Sequence, residues 1–88
     1  MSGAYWRIRY APQARRDLHR LDPPIGKRVI GGIERLAGDD ARADVRKIAG
    51  SNELRLRVGD WRVRFKRDAA KHEIVVLRVL PRGKVYKR

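Results

Sequence analysis

Cysteine is absent from this 88-residue sequence, and histidine occurs at only two positions. Without cysteine the chain has no disulfide framework, no thiolate metal ligand and no cysteine nucleophile, which argues against a zinc module. Long apolar runs are also missing, since no stretch approaches the roughly 20 residues that a membrane helix needs, and the first residues lack a signal-peptide pattern. We therefore expect a cytoplasmic protein with no metal, no cofactor and no membrane association.

Acidic residues are few: 10 Asp and Glu stand against 23 Lys and Arg, which gives a formal net charge of +13. Seventeen of the 23 cations are arginine, whose planar guanidinium fits a phosphate better than the point charge of lysine does. One explanation of this excess of cations is a genome rich in arginine codons, together with the solubility that surface charge provides. A polyanionic partner, such as RNA, DNA or an acidic protein, is the other.

The hydrophobic fraction of 42%, with two Trp, three Tyr and one Phe, is too high for a disordered basic tail. A chain of this length forms a single domain, which we assign to residues 1–88. Hydrophobic periodicity then divides the domain into elements. These are a strand over 4–10, a helix from Pro12, a helix between an Asp22 cap and Gly38, a hairpin over 54–66 and a central strand over 74–80.

The order β-α-α-β-β-β predicts an α+β fold in which a helical hairpin packs on one face of a mainly antiparallel sheet. The hairpin turn falls at Gly59-Asp60, where two alternating runs meet. In the second helix, the Gly31-Gly32 pair weakens the helix and indicates close packing against a neighbouring element.

Arginine recurs at alternate positions of the predicted hairpin. Arg55 and Arg57 lie on its first strand and Arg62 and Arg64 on its second, so that all four side chains project to the same face of the sheet. Like charges at this spacing repel one another, which costs stability unless an anion binds between them. The pattern leaves two interpretations, a solvated sheet face and a phosphate-binding face, and favours the second.

Cleavage of RNA by its own 2′-hydroxyl needs a base, cationic donors for the charge that develops on the phosphate, and an acid for the leaving oxygen. Arginine suits the second role, but its high pKa makes it a poor base. The candidate proton carriers are Tyr86, Lys84 and Glu53, and Tyr86 could equally stack on a base. Side chains expected to have no catalytic or metal-binding role are those of His19, His72, Asp39 and Asp40.

Four segments carry a family resemblance that extends over nearly the whole chain. They read YAPQARRDL from residue 10, VRKIAG from 45, ELRLRVGDWRV from 53, and VLRV followed by RGKVY within 76–86. The combination of LRLRVGDWRV with the terminal R-x-K-V-Y is the specific part. On these segments the chain resembles the RelE/ParE superfamily of toxins from type II toxin-antitoxin systems.

The resemblance implies a RelE-like toxin, an endoribonuclease that enters the ribosomal A site and cuts the exposed mRNA codon without a metal. It also implies a cognate acidic, RelB-like antitoxin whose helices wrap the toxin. In the family the arginines position the substrate and stabilise the phosphate, and the tyrosine orients or stacks the nucleotide. Carried over by position, the catalytic residues are Arg55, Arg57, Arg62, Arg82 and Tyr86, and the further RNA-binding residues are Arg64, Lys84 and Lys47.

Two alternatives stay open. The ParE branch of the superfamily inhibits DNA gyrase by binding and has no RNase chemistry, so it would not need the catalytic set. A catalytically weak module that binds RNA or the antitoxin would use the same basic surface, and Pro81 before the tail arginine favours it. Cations on the outer helix faces would meet either an acidic antitoxin or ribosomal RNA. They are Arg15, Arg16, Arg20 and Arg28.

Overall fold

Five strands and two helices make up the part of the chain that the computed structural model describes, residues 5–83. Their bounds are β1 Arg7–Tyr10, α1 Pro12–His19, α2 Pro23–Ala37, β2 Asp44–Lys47, β3 Leu54–Val58, β4 Trp61–Asp68 and β5 Glu73–Pro81. All five strands belong to one sheet with the order β1-β5-β4-β3-β2. β1 pairs with β5 in parallel, and every other neighbouring pair is antiparallel.

The predicted α+β class is confirmed, with two helices and a mainly antiparallel sheet. The apolar run over 74–80 is a central strand as expected, because β5 lies between β1 and β4. A bulge between Arg64 and Phe65 of β4 shifts the register against β5. None of the helices within residues 5–83 has the length and apolar character needed to cross a membrane.

β2 is the strand that the sequence pattern did not predict. Of its four residues only Val45 is apolar, so the segment shows no alternation of its own. It pairs with the edge of β3, where Asp44 lies opposite Arg57 and Arg46 opposite Arg55. A strand of this kind is formed by tertiary pairing, and strand propensity alone does not find it.

Both helices begin at a proline, whose fixed backbone angle and missing N–H suit a first turn. The predicted cap residue Asp22 occupies the cap position of α2 in an extended conformation. Its side chain, however, makes no capping hydrogen bond. The predicted cap is therefore correct in position and wrong in its side-chain contact, and Pro23 rather than a carboxylate defines the start of α2.

The core lies where the helices cover one face of the sheet, with α1 packed on β5 and α2 packed on β3 and β1. α2 contributes three fully buried aliphatic side chains, those of Val29, Ile33 and Leu36. They follow one another at helical spacing, which is why a single stripe of α2 reaches the sheet. The fully buried side chains from the sheet are Leu56, Val63, Phe65, Ile74 and Val76.

Gly32 sets how closely α2 approaches the sheet. A Cβ atom built on Gly32 would lie 2.6 Å from Cγ2 of Val58 on β3, a distance that Cβ atoms do not tolerate. At Gly31 the same atom would meet only Nη1 of Arg35, at 3.7 Å, which is ordinary contact. The close packing predicted for the Gly31-Gly32 pair is thus a property of Gly32.

We expect Gly32→Ala to lower the free energy of unfolding by about 1 to 3 kcal/mol, because the added methyl group must displace Val58. Gly31→Ala adds the same atom to the same helix without the clash, and should stabilise the protein by up to about 1 kcal/mol. Urea denaturation of the two variants measures the difference. Equal unfolding free energies for both variants would contradict this account of the α2–β3 contact.

The Asp17 side chain links α1 to β5 by hydrogen bonds. It lies on the same stripe of α1 as Ala14 and is buried against the C-terminal part of β5, beyond the residues that pair with β1. One carboxylate oxygen accepts a hydrogen bond from the Val79 N–H at 2.8 Å and another from Nε of Arg78 at 2.9 Å. The carboxylate therefore satisfies a backbone donor that no neighbouring strand reaches, and it pairs with a cation at the same point.

The charge of Asp17 is stabilised by these contacts. Burial alone would raise the pKa of this carboxyl group, but the hydrogen bonds from Arg78, from the Val79 N–H and from Gln13 outweigh burial, and the pKa is lowered. Because folding lowers the pKa, the ionised carboxylate stabilises the fold above the unfolded-state pKa near 4, and this stabilisation is lost as the pH falls.

Candidate functional site

The register of the sheet brings the predicted arginines together. Arg55 of β3 lies opposite Arg64 of β4, and Arg57 lies opposite Arg62. Directly opposed residues of antiparallel strands point to the same side, so the four share one face as predicted. β2 adds a fifth cation, since Arg46 is the partner of Arg55 on its other side.

A cavity of about 420 Å³ opens over this face, and we call it the arginine cavity. Five guanidinium side chains line it, from three neighbouring strands and from the segment that follows β5. Among residues 5–83, a single carboxylate, that of Asp44, lines the cavity beside these five positive charges. The lining residues are Asp44, Arg46, Arg55, Arg57, Arg62, Arg82 and Gly83.

Arg55 is the buried member of the arginine cavity, with 6% of its surface exposed. Its Nε atom is buried and has no hydrogen-bond partner within residues 5–83. A buried donor on a charged group costs free energy unless an acceptor reaches it, and more so beside four other cations. Arg55 therefore does not belong to a freely solvated sheet face, and it places a largely buried positive charge in the lining of the cavity.

The other arginines are held at the rim by the chain around them. Arg62 curls back over the hairpin turn, where its Nη1 donates to the carbonyl oxygens of Gly59 at 2.8 Å and of Trp61 at 3.0 Å. Arg57 faces Asp44 at 3.7 Å, a long contact between two side chains that are about half exposed. The two hydrogen bonds fix the direction of the Arg62 guanidinium, which preorganises it for a ligand, whereas the long exposed contact constrains Arg57 less.

Arg82 directly follows the central strand β5 and lines the arginine cavity. Its backbone N–H donates to the carbonyl oxygen of Asp60 at 2.8 Å, which ties the segment after β5 to the β3–β4 turn. Gly83 follows with φ +87°, in the region that favours glycine. Within the described residues the Arg82 guanidinium makes no ion pair, so its charge faces the cavity uncompensated.

Three of the predicted positions, Arg64, Glu53 and Lys47, do not line the arginine cavity. Arg64 shares the face but is held by Glu53, whose Oε1 accepts from its Nε at 2.7 Å. Glu53, a candidate proton carrier from the sequence, is therefore engaged in an ion pair. Lys47 is exposed at the end of β2 opposite Leu54, on the other side of the sheet from Arg46, and does not line the cavity. Tyr86 and Lys84 lie outside the described residues, and their roles stay predictions.

The histidines and the Asp39-Asp40 pair stand apart from the arginine cavity. His19 is exposed at the end of α1, and His72 stacks on Trp6 with ring centroids 4.2 Å apart. Asp40 accepts hydrogen bonds from the side chain and the backbone of Arg42, which lower its pKa to about 2. Within residues 5–83, no three acidic or histidine side chains converge as a metal site would require.

Sequence reasoning missed two residues that the structure makes prominent. Arg46 belongs to β2, which has no alternation, so nothing in the pattern placed it beside Arg55. For Asp17 the sequence did contain a signal, because this residue lies between Ala14 and Leu18 on the buried stripe of α1. A lone carboxylate on an apolar helical stripe indicates a buried partner of opposite charge.

Comparison with known proteins gives one family and a consistent set of structures. The family described as "ParE toxin of type II toxin-antitoxin system, parDE" matches residues 8–86 of the chain. The toxin-antitoxin complex RelBE2 from Mycobacterium tuberculosis contains a chain with 28% identity and a TM-score of 0.74, over 88% of this chain and 98% of that chain. No curated protein matches the sequence at a significant level.

Two archaeal structures are similar as well. The RelB-RelE antitoxin-toxin complex from Methanococcus jannaschii matches with 28% identity and a TM-score of 0.70, over 89% of this chain and 94% of that chain. The RelE-RelB complex from Pyrococcus horikoshii OT3 matches with 24% identity and a TM-score of 0.75, over 92% and 99% of the two chains. This last likeness supports the fold alone.

Proposed function

Because this chain belongs to the ParE toxin family of type II toxin-antitoxin systems, we propose that it is a toxin that cuts messenger RNA in the ribosomal A site. The observation that carries the proposal is the arginine cavity, in which five guanidinium groups face one carboxylate. One of them, Arg55, is 6% exposed. A backbone phosphate of RNA bound in the cavity would neutralise part of the charge.

In the proposed reaction, the 2′-oxygen of one nucleotide attacks the adjacent phosphorus and the bond to the 5′-oxygen of the next nucleotide breaks. Negative charge increases on the phosphate oxygens in the transition state. Arg55, Arg57, Arg62 and Arg82 stabilise this charge, since all four line the same cavity and their guanidinium groups can donate to the phosphate oxygens. The proton leaves the 2′-hydroxyl and another reaches the 5′-oxygen, and Tyr86 is the predicted residue near these transfers.

The proposed partner that neutralises the toxin is a cognate acidic antitoxin of the RelB type. The similar structures from Mycobacterium tuberculosis and Methanococcus jannaschii are toxin-antitoxin complexes. A net charge of +13 favours a partner of opposite charge. An apolar groove between α1 and α2 is lined by Tyr10, Leu18 and the exposed Ile30, and Arg15 lies at its rim. Such a groove suits an amphipathic helix that carries acidic residues beside its apolar face.

Inhibition of DNA gyrase is the second candidate function, because the matching family is described by its ParE members. A gyrase inhibitor acts by binding a protein and has no need of a phosphate site. The arginine cavity favours RNA cleavage over this alternative, since five guanidinium groups around one carboxylate suit the phosphates of RNA and are not needed to inhibit gyrase by binding.

We expect expression of the toxin without its antitoxin to arrest growth and to produce new RNA 5′ ends within codons of translated messages. Mapping 5′ ends on ribosome-bound transcripts, beside the same transcripts incubated with the toxin but without ribosomes, measures this. The ribosome-free RNA should be largely spared, because the ribosome holds the codon in the reactive geometry.

Supercoiling of plasmid DNA in the same cells provides the matched test of the second candidate. Loss of negative supercoiling without new 5′ ends would overturn the ribonuclease proposal and favour gyrase inhibition. New 5′ ends with normal supercoiling would support it.

A further inference from the structure

A second cationic cleft adjoins the arginine cavity at the corner of the sheet where β2 begins. It has a volume of about 220 Å³ and lies between α2 and the β3–β4 turn. We call it the α2 cleft. At about 30 Å³ for each water molecule, this volume accommodates a group such as a phosphate. Its charged lining residues are Arg28, Arg35, Arg42, Arg57 and Asp44.

The floor of the α2 cleft consists of small or aliphatic residues, so the charged groups of the cleft lie at its walls. Gly32 and Gly59 contribute no side chain, and Val58 fills the space beneath them. Gly59 stands in the turn with φ +57°, and a Cβ there would lie 3.9 Å from Nη1 of Arg28. The Arg28 guanidinium thus spans from α2 to the turn, across the mouth of the cleft.

The positive charge of the α2 cleft is only partly compensated. Arg42 is engaged by Asp40 through two hydrogen bonds of 2.8 and 3.1 Å, and Arg57 faces Asp44. Within residues 5–83, by contrast, no carboxylate lies within ion-pair distance of Arg28 or Arg35. These two arginines are seven residues apart on α2, so they lie on the same face of the helix, two turns from each other. Arg35 interacts only at longer range, with the Asp40 carboxylate. The two guanidinium groups can donate hydrogen bonds to one phosphate, whose single negative charge offsets part of their positive charge.

The arginine cavity and the α2 cleft share two lining residues. Asp44 and Arg57 border both the arginine cavity and the α2 cleft. A polyanion with one phosphate near Arg55 would therefore meet Arg57 and then the arginines of the α2 cleft, with Asp44 the one carboxylate among the described lining residues on this path. A nucleic acid strand has this regular succession of phosphates, whereas a protein partner has carboxylates only where its sequence places them.

We propose that the α2 cleft binds a second backbone phosphate of the same RNA strand whose scissile phosphate occupies the arginine cavity. Arg28 and Arg35 hold this phosphate, and Arg57 bridges the two positions. The inference rests on the proposed function, because it takes the arginine cavity as the site of the scissile phosphate of the RNA. The second phosphate contact positions the RNA strand and adds affinity at a point away from the reacting atoms.

The test measures RNA binding apart from cleavage, with the full-length toxin. The probe is a fluorescently labelled single-stranded RNA of about eight nucleotides, fully 2′-O-methylated so that the nucleophile is blocked. Anisotropy titrations between about 50 and 200 mM salt give the affinity and its salt dependence. Arg28→Gln with Arg35→Gln removes the cleft charges. Arg7→Gln with Lys71→Gln removes the same charge from exposed positions at the β1 edge, opposite to β2 in the sheet.

The Arg28→Gln/Arg35→Gln variant should bind the RNA about tenfold more weakly, and its slope of log affinity against log salt should flatten by about 0.7, the value for one phosphate of a single strand. The control pair should change both quantities much less. Equal effects of the two variants would overturn the proposal. Unchanged RNA affinity with weakened antitoxin binding would also overturn it and assign the cleft to a carboxylate partner.

These outcomes are separable from failure of the proposed function. If 5′-end mapping finds no cleavage but the cleft variant still loses RNA affinity relative to its control, the phosphate site stands and the ribonuclease assignment falls. If the wild type cleaves in the ribosome and the two variants bind RNA alike, the opposite conclusion follows.

Discussion

Replacing Arg82 by alanine is expected to lower ribosome-dependent cleavage by about 100- to 1,000-fold, the usual effect of removing one donor that stabilises transition-state charge. Arg82 lines the arginine cavity, and no carboxylate within residues 5–83 pairs with its guanidinium. Its contact with Asp60 is made by the backbone N–H, which alanine keeps. Toxicity should therefore be lost while the fold and antitoxin binding are retained.

Cleavage rates on ribosome-bound message, together with the thermal stability of each variant, check this expectation. Arg82→Lys keeps the charge but loses the planar fork, and should recover part of the activity. Arg7→Ala removes an equally exposed arginine from the far edge of the sheet and should leave cleavage unchanged. Full toxicity of Arg82→Ala would remove this residue from the site and would weaken the assignment of the arginine cavity.

The second large effect concerns stability. Asp17→Asn should lower the free energy of unfolding by about 2 to 4 kcal/mol, because it leaves Arg78 without its partner and weakens the acceptor of the Val79 N–H. The upper limit stays below that of a fully buried pair because the Arg78 side chain is 36% exposed to solvent. For a domain of this size, each kcal/mol lowers the melting temperature by about 4 to 8 °C.

Thermal and urea denaturation of Asp17→Asn measure the loss, and Asp22→Asn is the matched control, since the Asp22 side chain makes no capping hydrogen bond. The pH dependence separates charge from packing. Folding lowers the pKa of Asp17, so the wild type should lose more stability than Asp17→Asn between pH 7 and about pH 3. Parallel pH profiles for the two proteins would contradict the assigned role of this carboxylate.

The hairpin and its arginines were predictable because the relevant information is local. Alternation over 54–58 and 61–66 with Gly59 between them specifies a two-stranded unit and its register, and the register alone sets Arg55 opposite Arg64. The same holds for the helices, whose start signals at Pro12 and Pro23 and apolar stripes are visible within a few turns of sequence.

β2 and the burial of Arg55 were not predictable, since both depend on pairings outside the local pattern. β2 becomes a strand only beside β3, and only then does Arg46 join the arginine cavity. Sequence reasoning treated Arg55 and Arg57 as equivalent. The structure distinguishes them, because Arg55 is buried whereas the Arg57 side chain, near the corner where β2 begins, is more than half exposed.

The sequence by itself determined the class of fold, the family resemblance and the set of arginines on one sheet face, because periodicity of two and turn residues encode which side chains share a face. The tertiary structure decided which cations lack a counter-ion. Glu53 neutralises Arg64, Asp17 binds Arg78 across 61 residues of chain, and Arg55 is buried without an acceptor in the described part. Charge compensation depends on distances between segments remote in sequence, and the electrostatic character of a site therefore emerges only when the chain is folded.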